Sequence, residues 1–410
     1  MLPDDVGIFI LGFSCGNAYG ASGSHENLLF MLKTYSFRLY PNHAQTKNLA
    51  RHFGAARWIY NRALERKIAV YRETGKGLSW VDLAKEITGL KKSAGTMWLQ
   101  EVALAPLQSS IRHLDSAFKR FFKEKKGFPA FKRKRGRQSF QYPTGVKVDF
   151  PRHLVYFPRI GWVHFRDPRV FYGKIGTVTV VKSSTEKHYA QILVELPGRI
   201  PEKKLLDKSR AVGVDVGLMT FATFSDGRKV ANPRFLKAAL RELRRANRSV
   251  SRKQKGSNNR SKARLKLARV HEKIANRRKD FLHKLTSQMT NENQVDTWVV
   301  ETLTVKGMGK MRSLSRSIHD AAWSEFVRQL AYKSEWRGKH LVKIGRFMPS
   351  SKMCSCGAIN DSLRLADRTW TCAMCGATHD RDVLAAQNIL RFGFDTEGNP
   401  GINASGQAVP

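Results

Sequence analysis

The chain has few acidic residues for its length. Its 410 residues include 33 Asp and Glu against 73 Lys and Arg, which gives a formal net charge of +40. Such an excess of one sign destabilises a folded protein by self-repulsion unless a polyanion neutralises it. The composition therefore argues against an ordinary metabolic enzyme. Nucleic acid is the predicted partner, and an anionic membrane surface is the second candidate.

Long hydrophobic runs are also absent. No apolar stretch approaches the roughly 20 residues that span a bilayer, so we predict no membrane partner. The short apolar run at residues 6–13 follows two aspartates, whereas a signal peptide would carry positive charge there. Only five cysteines are present, and four of them are spaced for a metal ion. This usage favours a reducing cytoplasm over secretion.

Four cysteines lie in one short window. Cys354 and Cys356 form the first pair, Cys372 and Cys375 form the second, and a segment with Trp370 separates them. Two turns that each present two thiolates can hold one tetrahedral zinc ion, and a group of buried free thiols is the alternative. The first pair has one intervening residue instead of two. Its turn must therefore be tighter, or one ligand must come from elsewhere.

Three carboxylates occupy positions where a bound cation would stabilise them. Asp215 and Glu301 each lie in an apolar strand-like segment, where an acid is costly unless it is neutralised. Asp382 follows Asp380, a good N-cap residue for a helix whose two alanines would let it pack closely on another element. Three such acids at one sheet edge could not all ionise without divalent metal. We predict two Mg²⁺ ions about 4 Å apart that activate water and stabilise the leaving oxygen of a phosphodiester.

The N-terminal half combines strand and helix patterns. Alternation from Tyr35 to Leu39 predicts a strand, and alternation over residues 146–196 predicts a small antiparallel barrel that this first strand completes. Helical periodicity between these strand regions predicts three inserted helices, at residues 43–73, 79–90 and 97–125. In the C-terminal half, a helix is predicted from Ser317 and a strand at residues 341–347.

Two basic segments are candidate nucleic-acid surfaces. Residues 128–142 interleave cations with aromatic rings, which suits a single strand or a guide duplex, with a disordered basic loop as the alternative. Residues 233–285 predict a helical hairpin with one packed face and one cationic face. A hairpin whose charges are simply solvated is the alternative there.

Several motifs together resemble the TnpB (OrfB) proteins of IS200/IS605-type transposons, which are relatives of the Cas12 nucleases. The resemblance extends from Leu32 to about Phe394. The motifs lie at residues 212–217 (VGVDVG), 299–303 (VVETL), 350–354 (SSKMC), 371–376 (with Cys372, Cys375 and Gly376) and 380–388 (DRDVLAAQN).

The resemblance implies an α/β multidomain fold. Its parts would be an RNase H-like (RuvC) core with a zinc-ribbon insertion, and a small β-barrel (wedge) domain with a helical insertion. The implied domains are the wedge at 31–42 and 140–205, the helical recognition domain at 43–139, the nuclease domain at 206–350 and 379–395, and the zinc-binding domain at 351–378. An N-terminal extension at 1–30 and a tail at 396–410 are predicted to be disordered.

The resemblance also implies an activity: an RNA-guided DNA endonuclease that uses a guide RNA from the transposon end and cleaves double-stranded target DNA beside a short target-adjacent motif. Asp215, Glu301 and Asp382 match the family's Mg²⁺-binding catalytic acids. The zinc ligands are matched by Cys354, Cys356, Cys372 and Cys375, although the first pair departs from the family's usual gap. Such a protein would be a monomer associated with the nucleoid of a prokaryotic cytoplasm.

Other functions stay open. A DNA-binding accessory or regulatory protein of transposition needs the same charge without cleavage, and a guide-independent nuclease would cut without RNA. A transposase that performs strand transfer itself is disfavoured, because the sequence has no His-hydrophobe-His pair with a nucleophilic Tyr. Tyr60, Asn61 and Gln108 lie in the region expected to read the target-adjacent motif.

Overall fold

Residues 30–346, 348–364 and 366–395 are described by the structure, a computed structural model. The chain divides into two units that separate between Arg199 and Ile200. Residues 1–29 and 396–410, predicted to be disordered, lie outside the described residues. No helix in the described ranges is both long enough and apolar enough to cross a membrane.

The N-terminal unit places three α-helices between the first and second strands of one sheet. Strand β1 is Phe30–Tyr40, and the helices are α1 (His43–Thr74), α2 (Trp80–Lys92) and α3 (Leu104–Glu124), with a 3₁₀ helix at Ala94–Glu101. The other strands are β2 (Gln138–Tyr142), β3 (Lys147–Asp149), β4 (Leu154–Phe157), β5 (Gly161–Phe165), β6 (Lys174–Lys182) and β7 (His188–Arg199).

The prediction of the third helix is wrong for its first turns. A continuous α-helix from residue 97 would place Pro106 in its interior, where proline clashes with the preceding turn and lacks a hydrogen-bond donor. The chain instead forms the 3₁₀ helix and restarts as α3, with Pro106 in the first turn. Helix α1 fits its prediction, because Asn42 caps its start and Gly75, with φ of 67°, caps its end.

The seven strands form one antiparallel sheet in the order β2-β6-β7-β1-β5-β4-β3. Alternate residues of β1 face its core, since Tyr35, Phe37 and Leu39 are buried as their spacing predicts. The sheet is curled, because the rings of Tyr142 on β2 and Phe157 on β4 lie 5.7 Å apart although these strands are not neighbours.

The C-terminal unit has a five-stranded sheet with helices on both faces. Its strands are β8 (Ala211–Val216), β9 (Thr220–Phe224), β10 (Lys229–Ala231), β11 (Thr297–Glu301) and β12 (His340–Ile344), followed by a small hairpin of β13 (Thr369–Thr371) and β14 (Thr378–Asp380). Its helices are α4 (Phe235–Ser251), α5 (Asn258–Asn291), α6 (Val305–Met308), α7 (Ser315–Ala321), α8 (Trp323–Trp336) and α9 (Arg381–Phe394).

The helix predicted from Ser317 is two helices. Ala322 has a left-handed conformation, with φ of 54°, and this ends α7 and redirects the chain into α8. The change of direction allows Ile318 of α7 and Phe326 of α8 to enter the same apolar core.

The large sheet has the order β10-β9-β8-β11-β12, in which β8, β11 and β12 are parallel and the other neighbours are antiparallel. Successive residues of β11 face opposite sides. Trp298 and Val300 pack in the core with residues of α5 and α8, whereas Val299 packs with Ile389 and Phe392 of α9.

Helix α9 lies close to β8 because two small residues meet there. A Cβ atom at Gly213 would overlap the carbonyl oxygen of Ala386 and come within 2.8 Å of the Leu390 nitrogen. The predicted N-cap is confirmed, since the Asp380 side chain accepts hydrogen bonds from the amides of Asp382 and Val383. The start of α9 is thus fixed both by its cap and by its contact with the sheet.

Candidate functional site

Two of the predicted acids occupy the ends of neighbouring parallel strands. Gly213 is paired with Val299, and Val214 with Val300, so Asp215 and Glu301 are the next residues along β8 and β11. Side chains alternate along a strand, so Glu301 shares the face of Val299, which packs against α9. By the same alternation Asp215 shares the face of Gly213.

The third acid enters this region from the helix. Asp382 lies in the first turn of α9, two residues after the Asp380 cap. The cap is held on its other side by Lys229 of β10, whose Nζ lies 2.7 Å from Asp380 Oδ2. The fold therefore brings Asp215, Glu301 and Asp382 to one end of one sheet face from segments more than eighty residues apart in sequence.

The electrostatics of this site favour a bound cation. Burial, followed by the nearby carboxylates of Asp382 and Glu301, raises the pKa of Asp215 to about 7, while the Arg381 charge acts in the opposite direction. Burial also raises the pKa of Glu301. Without a cation, a carboxylate in this environment keeps its proton up to neutral pH.

Arg368 is a further residue of this site that the sequence did not reveal. Its Nη1 atom lies 3.5 Å from Asp382 Oδ1. It precedes β13, and pairing of β13 with β14 brings it to the start of α9, where the Arg381 amide donates to the Arg368 carbonyl. No spacing rule links Arg368 to Asp382, because the contact depends on that strand pairing.

The three carboxylates are spaced more widely than the ligands of a single ion. Among the described residues, the only group of three or more His, Cys, Asp or Glu side chains whose ligand atoms all lie within 4.8 Å of one another is the four cysteines. In this structure the three carboxylates thus do not enclose a single position as the cysteines do.

The four cysteines form a compact set. Cys354 Sγ lies 3.5 Å from Cys375 Sγ, and Cys356 Sγ lies 3.7 Å from Cys372 Sγ. A tetrahedral ion with Zn–S bonds of about 2.3 Å places its sulfurs about 3.8 Å apart, so this set fits zinc. All four thiols are free, and Cys356 and Cys375 are exposed, which is unlike a cluster of buried structural thiols.

The short first pair is accommodated by a tighter turn. In the second turn the Gly376 amide donates to the Cys372 carbonyl, and in the first the Gly357 amide donates to the Cys354 carbonyl. Both glycines have positive φ, 71° and 90° respectively, which favours glycine. The first turn is therefore a version of the second with one residue fewer, and it still directs both thiols inward.

The cysteine-containing segment is tied to α9 at its entry as well as its exit. The buried Asn388 side chain of α9 donates to the carbonyls of Ser350, at 2.7 Å, and Met353, at 2.6 Å. At the exit, β14 leads directly into the Asp380 cap. One helix thus carries the third carboxylate and holds both ends of the candidate zinc site.

The N-terminal unit has a cationic cavity of about 320 Å³. Four of its lining residues, Arg57, Lys132, Arg133 and Arg137, form no ion pair within the described part of the chain. Burial lowers the pKa of Lys132 to about 8, as expected for a cation without a counter-ion. This cavity is suited to an anion such as phosphate.

Tyr60 and Asn61 of α1, predicted to lie where the target-adjacent motif is read, contact the basic loop after α3. The Asn61 side chain exchanges two hydrogen bonds with the Lys132 backbone, at 2.7 and 3.0 Å. Tyr60 is buried beneath Lys132, whose Nζ lies 3.9 Å from the ring centre. Both residues hold the loop that follows α3, and Gln108 is partly buried on α3.

The second basic segment is a helical hairpin, as predicted. Helices α4 and α5 pack together, and α4 has no fully buried side chain. Asp320 anchors the hairpin, because its carboxylate accepts from the Leu236 amide and pairs with Arg278 at 2.7 Å. Most of the arginines and lysines of α4 are exposed to solvent.

Comparisons with protein families match three parts of the chain. The OrfB/IS605 model described as a probable transposase matches residues 191–312, and the Cas12f1-like TNB domain model matches residues 323–389. A helix-turn-helix model of the same OrfB family matches residues 31–76, where the structure has β1 followed by the single long helix α1.

Relatives match the chain over most of its length. A protein of Streptomyces pristinaespiralis, provisionally named an RNA-guided DNA endonuclease, is 39% identical over 88% of this chain and 89% of its own. InsQ of Escherichia coli K12, which has the same provisional name, is 33% identical over 88% of this chain and 92% of its own.

The fold is similar to that of a solved nuclease. A Cas12f1 chain, determined by cryo-EM with sgRNA and target DNA, has a TM-score of 0.53 at 15% identity and covers 88% of this chain and 99% of its own. The architecture is thus a mixed α/β multidomain fold like that of Cas12 proteins. With relatives at 39% and 33% identity over nearly their whole length, the chain belongs to the TnpB (OrfB) family of IS200/IS605-type transposons.

Proposed function

We propose that this protein is an RNA-guided DNA endonuclease that cleaves double-stranded target DNA beside a short target-adjacent motif. The observation that carries the proposal is the arrangement of Asp215, Glu301 and Asp382 at one end of one sheet face, in a chain whose relatives have that name. The raised pKa values of the half-buried Asp215 and Glu301 favour a catalytic role over DNA binding alone, because perturbed pKa values cluster at functional sites.

These three carboxylates would hold Mg²⁺, which prefers oxygen ligands. When bound, the ions would activate a water molecule and stabilise the leaving oxygen of the phosphodiester. Asp215 must lose its proton to serve as a ligand, which its pKa of about 7 permits near neutral pH. Arg368, which now pairs with Asp382, would be free to contact the scissile phosphate once the carboxylate is neutralised.

The nucleic-acid partners would be a guide RNA from the transposon end and the target DNA. Guide pairing reads sequence in such complexes, so the protein needs mainly backbone contacts. The cationic cavity beside Arg57 and Arg137 and the exposed cations of α4 and α5 would supply them. A phosphate backbone would neutralise the positive charge of both surfaces.

The two sheets would correspond to the domains that the family resemblance implies. The five-stranded sheet with α9 would be the RNase H-like RuvC core, interrupted at 351–378 by the zinc-binding domain. The curled seven-stranded sheet would be the barrel of the wedge domain, and α1 to α3 the recognition domain. A monomer acting at the nucleoid of a prokaryotic cytoplasm would suffice for this function.

The direct test is cleavage by purified protein with guide RNA, a matched target duplex and Mg²⁺. Wild type should cut, whereas Asp215→Asn, which keeps the side-chain shape but removes a ligand charge, should not. Asp226→Asn is the matched control, since Asp226 is an acid of the same β8–β10 region that pairs with the exposed Arg228. Equal cutting by wild type and Asp215→Asn would exclude this active site.

Two outcomes of the same assay would support the alternative functions. Cutting without guide RNA would identify a guide-independent nuclease. Tight binding of DNA with no cutting at any Mg²⁺ concentration would identify an accessory DNA-binding protein of transposition.

A further inference from the structure

His379 lies next to the candidate zinc site without belonging to its ligand set. Its Nε2 atom lies 3.0 Å from Cys354 Sγ, within hydrogen-bonding distance for sulfur. Cys354 is fully buried, so water does not solvate its thiolate. A buried anion requires donors from the protein.

The four cysteines already provide a complete tetrahedral set. Their sulfur atoms all lie within 4.8 Å of one another, and His379 is not part of that group. A fifth ligand would exceed the coordination number of structural zinc sites. The place left for His379 is therefore outside the ligand shell, where side chains donate hydrogen bonds to bound ligands and orient them.

We propose that His379 is a positioning residue that donates its Nε2–H to the zinc-bound thiolate of Cys354 and thereby links the zinc site to Asp382. The second part of this proposal rests on the proposed nuclease function, whereas the first part does not.

The orientation of the ring is fixed by its strand. His379 is paired with Trp370 across the β13–β14 hairpin, and the two rings lie 5.2 Å apart. Trp370 is itself buried. The imidazole is thus held between this indole and the thiolate, which limits its rotation.

The link to the nuclease site is short. The residue after His379 is Asp380, the cap of α9, and Asp382 lies in the first turn of that helix. Lys229 holds the cap from the sheet side at 2.7 Å. A hydrogen bond from His379 to the metal-bound thiolate would hold the same segment from the zinc side, so zinc occupancy and the position of Asp382 would change together.

The first test measures zinc affinity by chelator competition on the full-length protein. His379→Leu removes the donor and should weaken zinc binding by about 10–100-fold, the usual effect of losing such a partner. His379→Gln, whose amide nitrogen can reach the position of Nε2, should restore most of that affinity. Thr378→Ala is the matched control, because the exposed hydroxyl of this neighbour on β14 lies 3.0 Å from the hydroxyl of the exposed Thr371 across the hairpin.

Zinc affinity of His379→Leu within threefold of wild type would overturn the proposal. Absorption spectra of the cobalt-substituted proteins give an independent readout. Wild type and His379→Leu should both show a tetrathiolate spectrum, because the ligand set is unchanged. A wild-type spectrum of three sulfurs and one nitrogen would make His379 a ligand and would also overturn it.

The link to Asp382 is tested by cleavage at saturating zinc. His379→Leu should cut about tenfold more slowly than wild type, and His379→Gln should recover. Equal rates would refute the link while leaving the zinc result intact. If wild type itself does not cut, the nuclease function fails, and the zinc measurements still decide the role of His379.

Discussion

The carboxylate site and the cysteine cluster, both in the C-terminal unit, are built in opposite ways. Two short turns and one hairpin bring the cysteines together within about twenty residues of sequence. The carboxylates come from two strands and a helix, and their meeting requires the parallel register of β8 and β11 and the contact of α9 with Gly213. One site is formed by local turns, whereas the other exists only when the whole sheet is folded.

The two sites also differ in how they are prepared for a cation. In the cysteine cluster, hydrogen bonds lower the pKa of Cys354 to about 5, while hydrogen bonds with the other cysteines raise the pKa of Cys375 to about 12, so these thiols lose their protons in separate steps. Burial and neighbouring acids raise the pKa of Asp215 to about 7, so this carboxyl keeps its proton up to a higher pH than an exposed aspartate does. Sulfur ligands suit a structural zinc ion, whereas oxygen ligands suit Mg²⁺.

The largest expected effect is a loss of cleavage activity at the carboxylate site that leaves the cysteine cluster unchanged. Glu301→Gln should lower guided cleavage about a thousandfold, roughly 4 kcal/mol, because a ligand charge at the reacting centre is lost. Its zinc content should stay at that of wild type, measured by elemental analysis of the same samples. Glu292→Gln is the control, since that acid pairs with Arg228 away from the site. Loss of zinc from Glu301→Gln would mean that the two sites are not independent.

The second prediction concerns a substitution in the cysteine cluster. Cys372→Ser should abolish zinc binding, because this buried thiol is one of the four cysteines proposed to hold the ion. Residues 351–378 should then lose protection in amide hydrogen exchange, while β8 and β11 keep theirs. Cleavage should fall about tenfold, since the start of α9 loses one support. Unchanged exchange in 351–378 would show that zinc does not hold this segment.

A third prediction concerns the contact between Gly213 of β8 and helix α9, on which the carboxylate site depends. Gly213→Ala should destabilise the protein by about 1–3 kcal/mol, because the added methyl overlaps the backbone of α9. Gly345→Ala, where a Cβ meets no atom within 4 Å, should have little effect. Urea denaturation monitors both variants. Equal stability of the two would place α9 farther from β8 than the structure does.

The smallest effect is the pH dependence of the Mg²⁺-free protein. The pKa of Asp215 is raised to about 7 in the folded state, above its unfolded value of about 4, so the folded state binds more protons between these values. The contribution of this group to the free energy of unfolding should therefore fall by about 1–2 kcal/mol as pH rises from about 5.5 to 7. Asp215→Asn should reduce this slope in urea denaturation. An identical slope in both proteins would contradict the raised pKa.

Much of the local structure could be predicted from the sequence. Helix α1, the alternation of β1, the cap at Asp380 and the grouping of the cysteines follow from periodicity, capping preference and spacing, which depend on neighbours in the chain. The errors came where one residue overrides a periodic pattern. Pro106 delays α3, and the left-handed Ala322 divides a predicted helix into α7 and α8.

Local patterns in the sequence thus predict several of the helices and strands and the grouping of the cysteines, and the family motifs indicate which acids to consider. The contacts of Arg368 with Asp382 and of His379 with Cys354 become visible only in the folded chain. These contacts follow from the pairing of β13 with β14 and the packing of α9 on the sheet. Side chains distant in sequence meet only when the backbone between them is folded, and no local periodicity encodes that distance.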